Sequence, residues 1–134
     1  MQKSPHLGFV TPSLIDITSI DVDDYEAFGP FLQITRVKTL DEAIKQANAT
    51  RFGLAGGLIC DAATIWQRVH SRLKAGIINW NRPTTGASSA LPFGGPGLSG
   101  NFRPGAYYAA DYSAWPQASQ IATKAHTLPI KGMM

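Results

Sequence analysis

Between Phe31 and Asn81 the chain alternates short β-rich runs with amphipathic helical stretches. That alternation restricts the fold more than any other feature of its 134 residues. "FLQITRVK" is a β-rich run between Pro30 and a helix start. Thr39 and Glu42 have the spacing of a capping box, in which each side chain satisfies a free backbone N–H at the helix start. Leu40, Ala43, Ile44 and Ala47 then fall on one apolar stripe, with Gly53 as a stop signal. "LAGGLIC" reads as a short buried strand weakened by its two glycines. Asp61 is placed to cap a second helix, whose apolar positions Ala62, Ile65, Trp66, Val69 and Leu73 share a face and which Gly76 ends. "IINW" follows as a further strand. Strand, helix, strand, helix, strand with short joints predicts an α/β fold built on a parallel βαβαβ unit with right-handed crossovers.

The flanks are different. "LIDIT" reads as another strand and the acidic stretch after it as a polar loop. Residues 82–106 are rich in glycine and proline, and an irregular segment of that length usually carries function. The tail "AADYSAWPQASQIA" alternates, but Pro116 demotes it to an edge or partner-facing strand, and residues 125–134 are expected to fray.

Composition excludes several classes. Hydrophobic residues are 44% and charged residues 16%, a globular balance whose low charge hints at faces covered by something else. The net charge is +3, and the densest basic cluster, Arg68 to Lys74, lies on a helix and reads as a solvated face. Tyr107, Tyr108, Tyr112 and Trp115 lack an accompanying basic groove, so no nucleic-acid partner is expected. His6, His70 and His126 show no ligand spacing, so no metal site is expected. The single cysteine suits a reducing compartment, and neither a membrane-spanning run nor a signal-peptide core is present, so the chain reads as soluble and cytoplasmic, with no membrane partner.

Gly95, Gly97 and Gly100 spell the dinucleotide-binding pattern G-x-G-x-x-G. That pattern needs a strand before it, a helix after it and an acidic residue about 20 positions further on. Here Pro104 and Gly105 interrupt any early helix and Asp111 comes too soon. The stretch is therefore not expected to cradle phosphates.

Read with its neighbours, the stretch has another identity. "EAFGP", "TRFGLAGGL", "AGIINWN" and "PFGGPGLSG" stand in the order and spacing seen near the C-terminus of aldehyde dehydrogenases, and the chain resembles that superfamily along nearly all its length. "NWNRPTTGASSALPFGG" and "SGNFRPGAYYAADYSAWP" resemble the branch that oxidises N-succinylglutamate 5-semialdehyde in arginine catabolism. The resemblance implies that residues 1–106 belong to the C-terminal part of a catalytic domain and that residues 107–134 form an oligomerisation strand and tail, making a homo-oligomer.

The same resemblance implies an NAD-dependent oxidation in which a cysteine thiolate attacks the aldehyde and a glutamate-activated water releases the acid. The family's nucleophile lies in a Gly-Gln-x-Cys segment upstream of E-x-F-G-P, and this sequence contains neither that segment nor the nucleotide-binding domain. No catalytic residue is named, and the chain alone is expected to be inactive. Cys60 follows an apolar strand and reads as a structural thiol.

Glu26 matches the residue that accepts hydrogen bonds from the nicotinamide ribose, although without the motif it reads as a solvated loop acid. Phe28 matches the aromatic beside the nicotinamide. Phe93 matches the inner wall of the substrate tunnel. Gly86, Ala87 and Ser88 suit a backbone nest for a substrate carboxylate, with Arg82 adding charge and Arg103 as a weaker second candidate. The loop reads alternatively as a plain surface loop. A non-catalytic module that captures a dicarboxylate and an inert gene remnant are the rival functions.

Overall fold

The computed structural model describes residues 8–125 and 132. In chain order the elements are β1 (Ser13–Asp16), β2 (Phe31–Ile34), α1 (Leu40–Ala47), β3 (Ala55–Leu58), α2 (Ala63–His70), β4 (Ile77–Trp80), β5 (Pro92–Phe93), β6 (Gly105–Ala106) and α3 (Ala109–Tyr112). A single 3₁₀ turn, Gly97–Ser99, separates β5 from β6.

The order β2–α1–β3–α2–β4 is the one that the periodicity predicts, but its strands do not form one sheet. β3 pairs with β4 in parallel, joined through α2. β2 pairs instead with β1, also in parallel, and the two pairs are separate sheets. β5 and β6 form a third, antiparallel pair. The correction has a simple cause: hydrophobic pattern marks a segment as strand but does not select its neighbour, which depends on contacts distant in sequence.

Both helices form where their apolar stripes predict, and each contributes one deeply buried side chain, Ile44 from α1 and Val69 from α2. The N-terminus of α1 is capped by Thr39, whose Oγ1 accepts the Glu42 N–H at 3.2 Å. Glu42 reaches back to the N–H of Lys38 at 2.8 Å, one residue earlier than the usual box. The N-cap of α2 is Ala62 rather than Asp61, and the Ala62 N–H meets the Cys60 sulfur at 3.4 Å. Both helices end before the glycines that were expected to stop them. Asn48 terminates α1 and Ser71 terminates α2.

Polar ties brace the helices against each other. Asn48 donates from Nδ2 to the Arg72 carbonyl and accepts the Lys74 N–H, both at 2.8 Å. Asp41 of α1 takes ion pairs from Arg72 and Arg68 at the end of α2; the Arg72 hydrogen bond, first, lowers its pKa.

The tail departs from expectation. Residues 109–112 form the short helix α3, and no strand occurs among the described residues after Ala106. An isolated extended segment has nothing to satisfy its backbone groups, whereas a helical turn satisfies some of them locally. The remainder of the expected oligomerisation strand, from residue 126, lies outside the described residues apart from Gly132.

Candidate substrate loop and cofactor-facing groove

The loop after β4 is anchored at its root. Asn81 takes a left-handed backbone conformation, φ 51°, which asparagine tolerates better than most residues. Its side chain clasps the end of β3: Oδ1 accepts the Cys60 N–H at 2.8 Å and Nδ2 donates to the Cys60 carbonyl at 3.1 Å. The indole N–H of Trp80 donates to that carbonyl at 2.7 Å, and Trp80 stacks on Trp66 of α2 with ring centroids 5.5 Å apart. Asn79 Nδ2 then holds the Pro83 carbonyl at 2.6 Å. Cys60 is half-buried, not buried as its apolar context predicts, and its sulfur accepts the Ala62 N–H.

Between β4 and this loop lies a cavity of about 400 Å³. Ile77, Ile78 and Asn79 form one side; Arg82, Gly86, Ala87 and Ser88 are on the other. Four of the five substrate positions named from sequence therefore share one cavity. Gly86 has φ +80° and open space where a side chain would stand, so the chain turns there with its amides uncovered. Among the described residues, no protein acceptor takes a hydrogen bond from the backbone N–H of Gly86, Ala87 or Ser88. Arg82 has no acidic partner among them either. Unspent donors and an unpaired cation around a small cavity make an arrangement that accepts a carboxylate.

Phe93, the fifth position, does not line that cavity. It stands beside it on β5, half-exposed and paired with Gly105. Arg103 is exposed and lies outside the cavity.

Glu26 and Phe28 stand elsewhere. Glu26 lines a groove of about 740 Å³ between the β1–β2 pair and the β3–β4 pair, and this groove does not include the loop. Its carboxylate has no hydrogen-bond or ion-pair partner among the described residues. Phe28 is 94% exposed, with both ring faces open.

The loop carrying Glu26 is fastened by a residue that sequence reasoning passed over. Asp24 accepts the Thr50 hydroxyl at 2.6 Å, the Arg51 N–H at 2.8 Å and the Arg51 Nε–H at 3.2 Å. The Thr50 bond, first, and then those from Arg51 lower its pKa. Arg51 also serves the glycine-rich stretch, its carbonyl accepting the Leu98 N–H at 2.8 Å. That stretch packs backbone against backbone. Gly97 has φ +61° with the Arg51 carbonyl where its side chain would be, and Ser99 Oγ accepts the Gly53 N–H at 2.9 Å. A β-strand of two residues precedes it and a 3₁₀ turn lies within it, so it lacks the strand-and-helix frame of a phosphate loop.

Residues 3–116 match the model of the aldehyde dehydrogenase family. The chain is 57% identical over 129 residues to the N-succinylglutamate 5-semialdehyde dehydrogenase of Burkholderia ambifaria (strain MC40-6), covering 96% of this chain and 26% of that protein. Among solved structures it resembles the 1-pyrroline-5-carboxylate dehydrogenase from Thermus with bound NAD. That match has a TM-score of 0.69 and 31% identity, over 75% of this chain and 20% of that one. Aldehyde dehydrogenase 21 from Physcomitrella patens, in complex with the reaction product succinate, matches with TM-score 0.69 and 25% identity, over 77% of this chain and 22% of that one. The chain thus spans about a quarter of the length of the curated relatives that it matches. A family match over most of its residues places the chain in the aldehyde dehydrogenase family.

Proposed function

We propose that this chain supplies the substrate-recognising segment of an NAD-dependent dehydrogenase that oxidises N-succinylglutamate 5-semialdehyde to N-succinylglutamate. The observation that carries the reading is the cavity between β4 and the loop, where Arg82 and the uncommitted amides of Gly86, Ala87 and Ser88 face one small volume. The proposed substrate bears several carboxylates, and the matched region of a relative of that name covers 96% of this chain. The loop amides and Arg82 hold a carboxylate, while Phe93 walls the path of the aldehyde chain.

The groove side suits NAD. The Glu26 carboxylate, without a partner among the described residues, has lone pairs for two ribose hydroxyls, and the open ring of Phe28 offers a flat apolar face to the nicotinamide end. When bound, NAD takes up the hydride released by the aldehyde. No residue of this chain is assigned as nucleophile or general base, so the chain alone binds without turnover, and the full activity belongs to an oligomeric enzyme with its nucleotide domain.

Titrating the chain with N-succinylglutamate, followed by calorimetry, tests the reading. Saturable binding that Arg82→Ala weakens about tenfold or more is expected, since a lost charged hydrogen bond is worth about 1.5–3 kcal/mol. Binding that ignores Arg82 would refute the loop as the carboxylate site. Saturable binding by the chain, with no NAD reduction even when the rest of the Burkholderia relative is supplied, would favour the dicarboxylate-binding module instead.

A further inference from the structure

The cavity beside the substrate loop holds one side chain that carboxylate binding leaves unused. Asn79 is half-buried on β4 and lines this cavity. Two observations fix which way it faces. Trp80, the next residue, stacks on Trp66 of α2, so alternation along the strand turns Asn79 to the face away from that helix. Its strand partner Gly57 marks the same side, since a Cβ there would stand 3.6 Å from Thr84 Cγ2 of the loop. With no side chain at Gly57, the Asn79 carboxamide has room beneath the loop.

Hydrogen bonding then sets the orientation of that carboxamide. Asn79 meets the Pro83 carbonyl at 2.6 Å. A carbonyl oxygen only accepts, so the atom facing it is Nδ2 and the other is Oδ1. Among the described residues no protein donor reaches Oδ1. A neutral acceptor is thereby held beside Arg82, the hydroxyls of Thr84 and Thr85, and the apolar Ile77 and Leu91. No aspartate or glutamate is among the described residues that line the cavity. An ammonium placed there would face Arg82 with no carboxylate to offset the repulsion. A neutral amide N–H carries no such cost and needs one acceptor, which Oδ1 supplies.

The geometry points to Asn79 as a specificity-determining residue. Its Oδ1 accepts the N–H of an acylated nitrogen, so the cavity takes N-acylated amino-acid aldehydes in preference to those with a free amino group. The Pro83 contact serves the same end, because it keeps the carboxamide from turning Nδ2 toward the ligand. The inference rests on the proposal that the loop amides and Arg82 hold a carboxylate of the same ligand.

The test is calorimetric titration of the full chain with N-succinylglutamate and with its ester isostere, in which oxygen replaces the amide N–H, each repeated on Asn79→Ala. The unsubstituted chain is expected to bind the amide about tenfold or more tighter, because the ester sets an oxygen against Oδ1. Asn79→Ala is expected to bring the two affinities within about twofold of each other. Loss of the Pro83 contact alone would weaken both ligands equally and leave their ratio unchanged. Equal binding of amide and ester by the unsubstituted chain, or a preference that survives in Asn79→Ala, overturns the role of Asn79 and leaves the carboxylate loop standing. The first of these comparisons decides the matter even where the variant folds poorly. Binding of neither ligand overturns the carboxylate site and this inference with it.

Discussion

The β1–β2 and β3–β4 pairs have the same length and the same parallel register, yet they are held in different ways. β3–β4 is joined through α2 and half-covered, with Leu73 seated against Gly56, and the helices supply the two deeply buried side chains, Ile44 and Val69. β1–β2 is the more open pair; Leu14 is 64% exposed and Leu32 60%. Its end is fastened by polar contacts, Arg36 Nε to Asp16 at 2.8 Å and the Arg36 N–H to Thr18 Oγ1 at 2.8 Å. Strand pairing alone therefore does not define a core in this chain. Helical cover does.

The sharpest way to break that contrast is Ile44→Ala. Removing a buried side chain of this size costs about 2–5 kcal/mol, and denaturant unfolding should show it as a loss of cooperativity around α1, β3 and β4. Gly97→Ala comes next, because it forces a side chain into a left-handed position against the Arg51 carbonyl. A cost of about 1–3 kcal/mol is expected, read as a lower melting temperature. Asn48→Ala removes both ties between α1 and the end of α2, and about 1–2 kcal/mol should be lost in the same assay.

Acid should act on the uncovered pair. Hydrogen bonds from Thr18, then from Arg36, lower the Asp16 pKa to about 2. A depressed carboxylate pKa contributes stability above the ordinary aspartate value, about 3.9, and that contribution is lost as pH falls toward about 2. Asp16→Asn should remove this pH dependence from Ile17 amide exchange while leaving α1 and α2 unaffected. The smallest effect is expected from Leu32→Ala. In the chain alone it should change stability by no more than about 0.5 kcal/mol, as exposed substitutions do. A larger cost would show that the β1–β2 face already has a cover, and the contrast between the pairs would fail.

Sequence reading located what local chemistry determines. The stripe of Leu40 to Ala47 and the Thr39 cap specify α1 through neighbours three and four residues away. What escaped was set at longer range. Nothing near Phe31 announces that its partner is Ser13, and nothing near Asn48 announces that its amide will hold the Arg72 carbonyl 24 residues later. The loop residues were named largely through resemblance, whereas the Asn81 clasp on Cys60 at the root of the loop was not foreseen. A left-handed asparagine at a strand end is a signal that the doubled "NWN" context held and that periodicity does not weigh. The tail misled for the opposite reason, since alternation there describes a capacity to pair and not the presence of an edge to pair with.

Arg51 carries a consequence beyond stability. Its side chain and N–H grip Asp24, two residues before Glu26, while its carbonyl holds Leu98, five residues after Phe93. The two grooves share no lining around these ends, yet both are surveyed from the same peptide, as two walls measured from one datum. A shift of that peptide would move the Glu26 loop and the stretch that follows Phe93 together. Their spacing would survive a disturbance that would otherwise place them out of true.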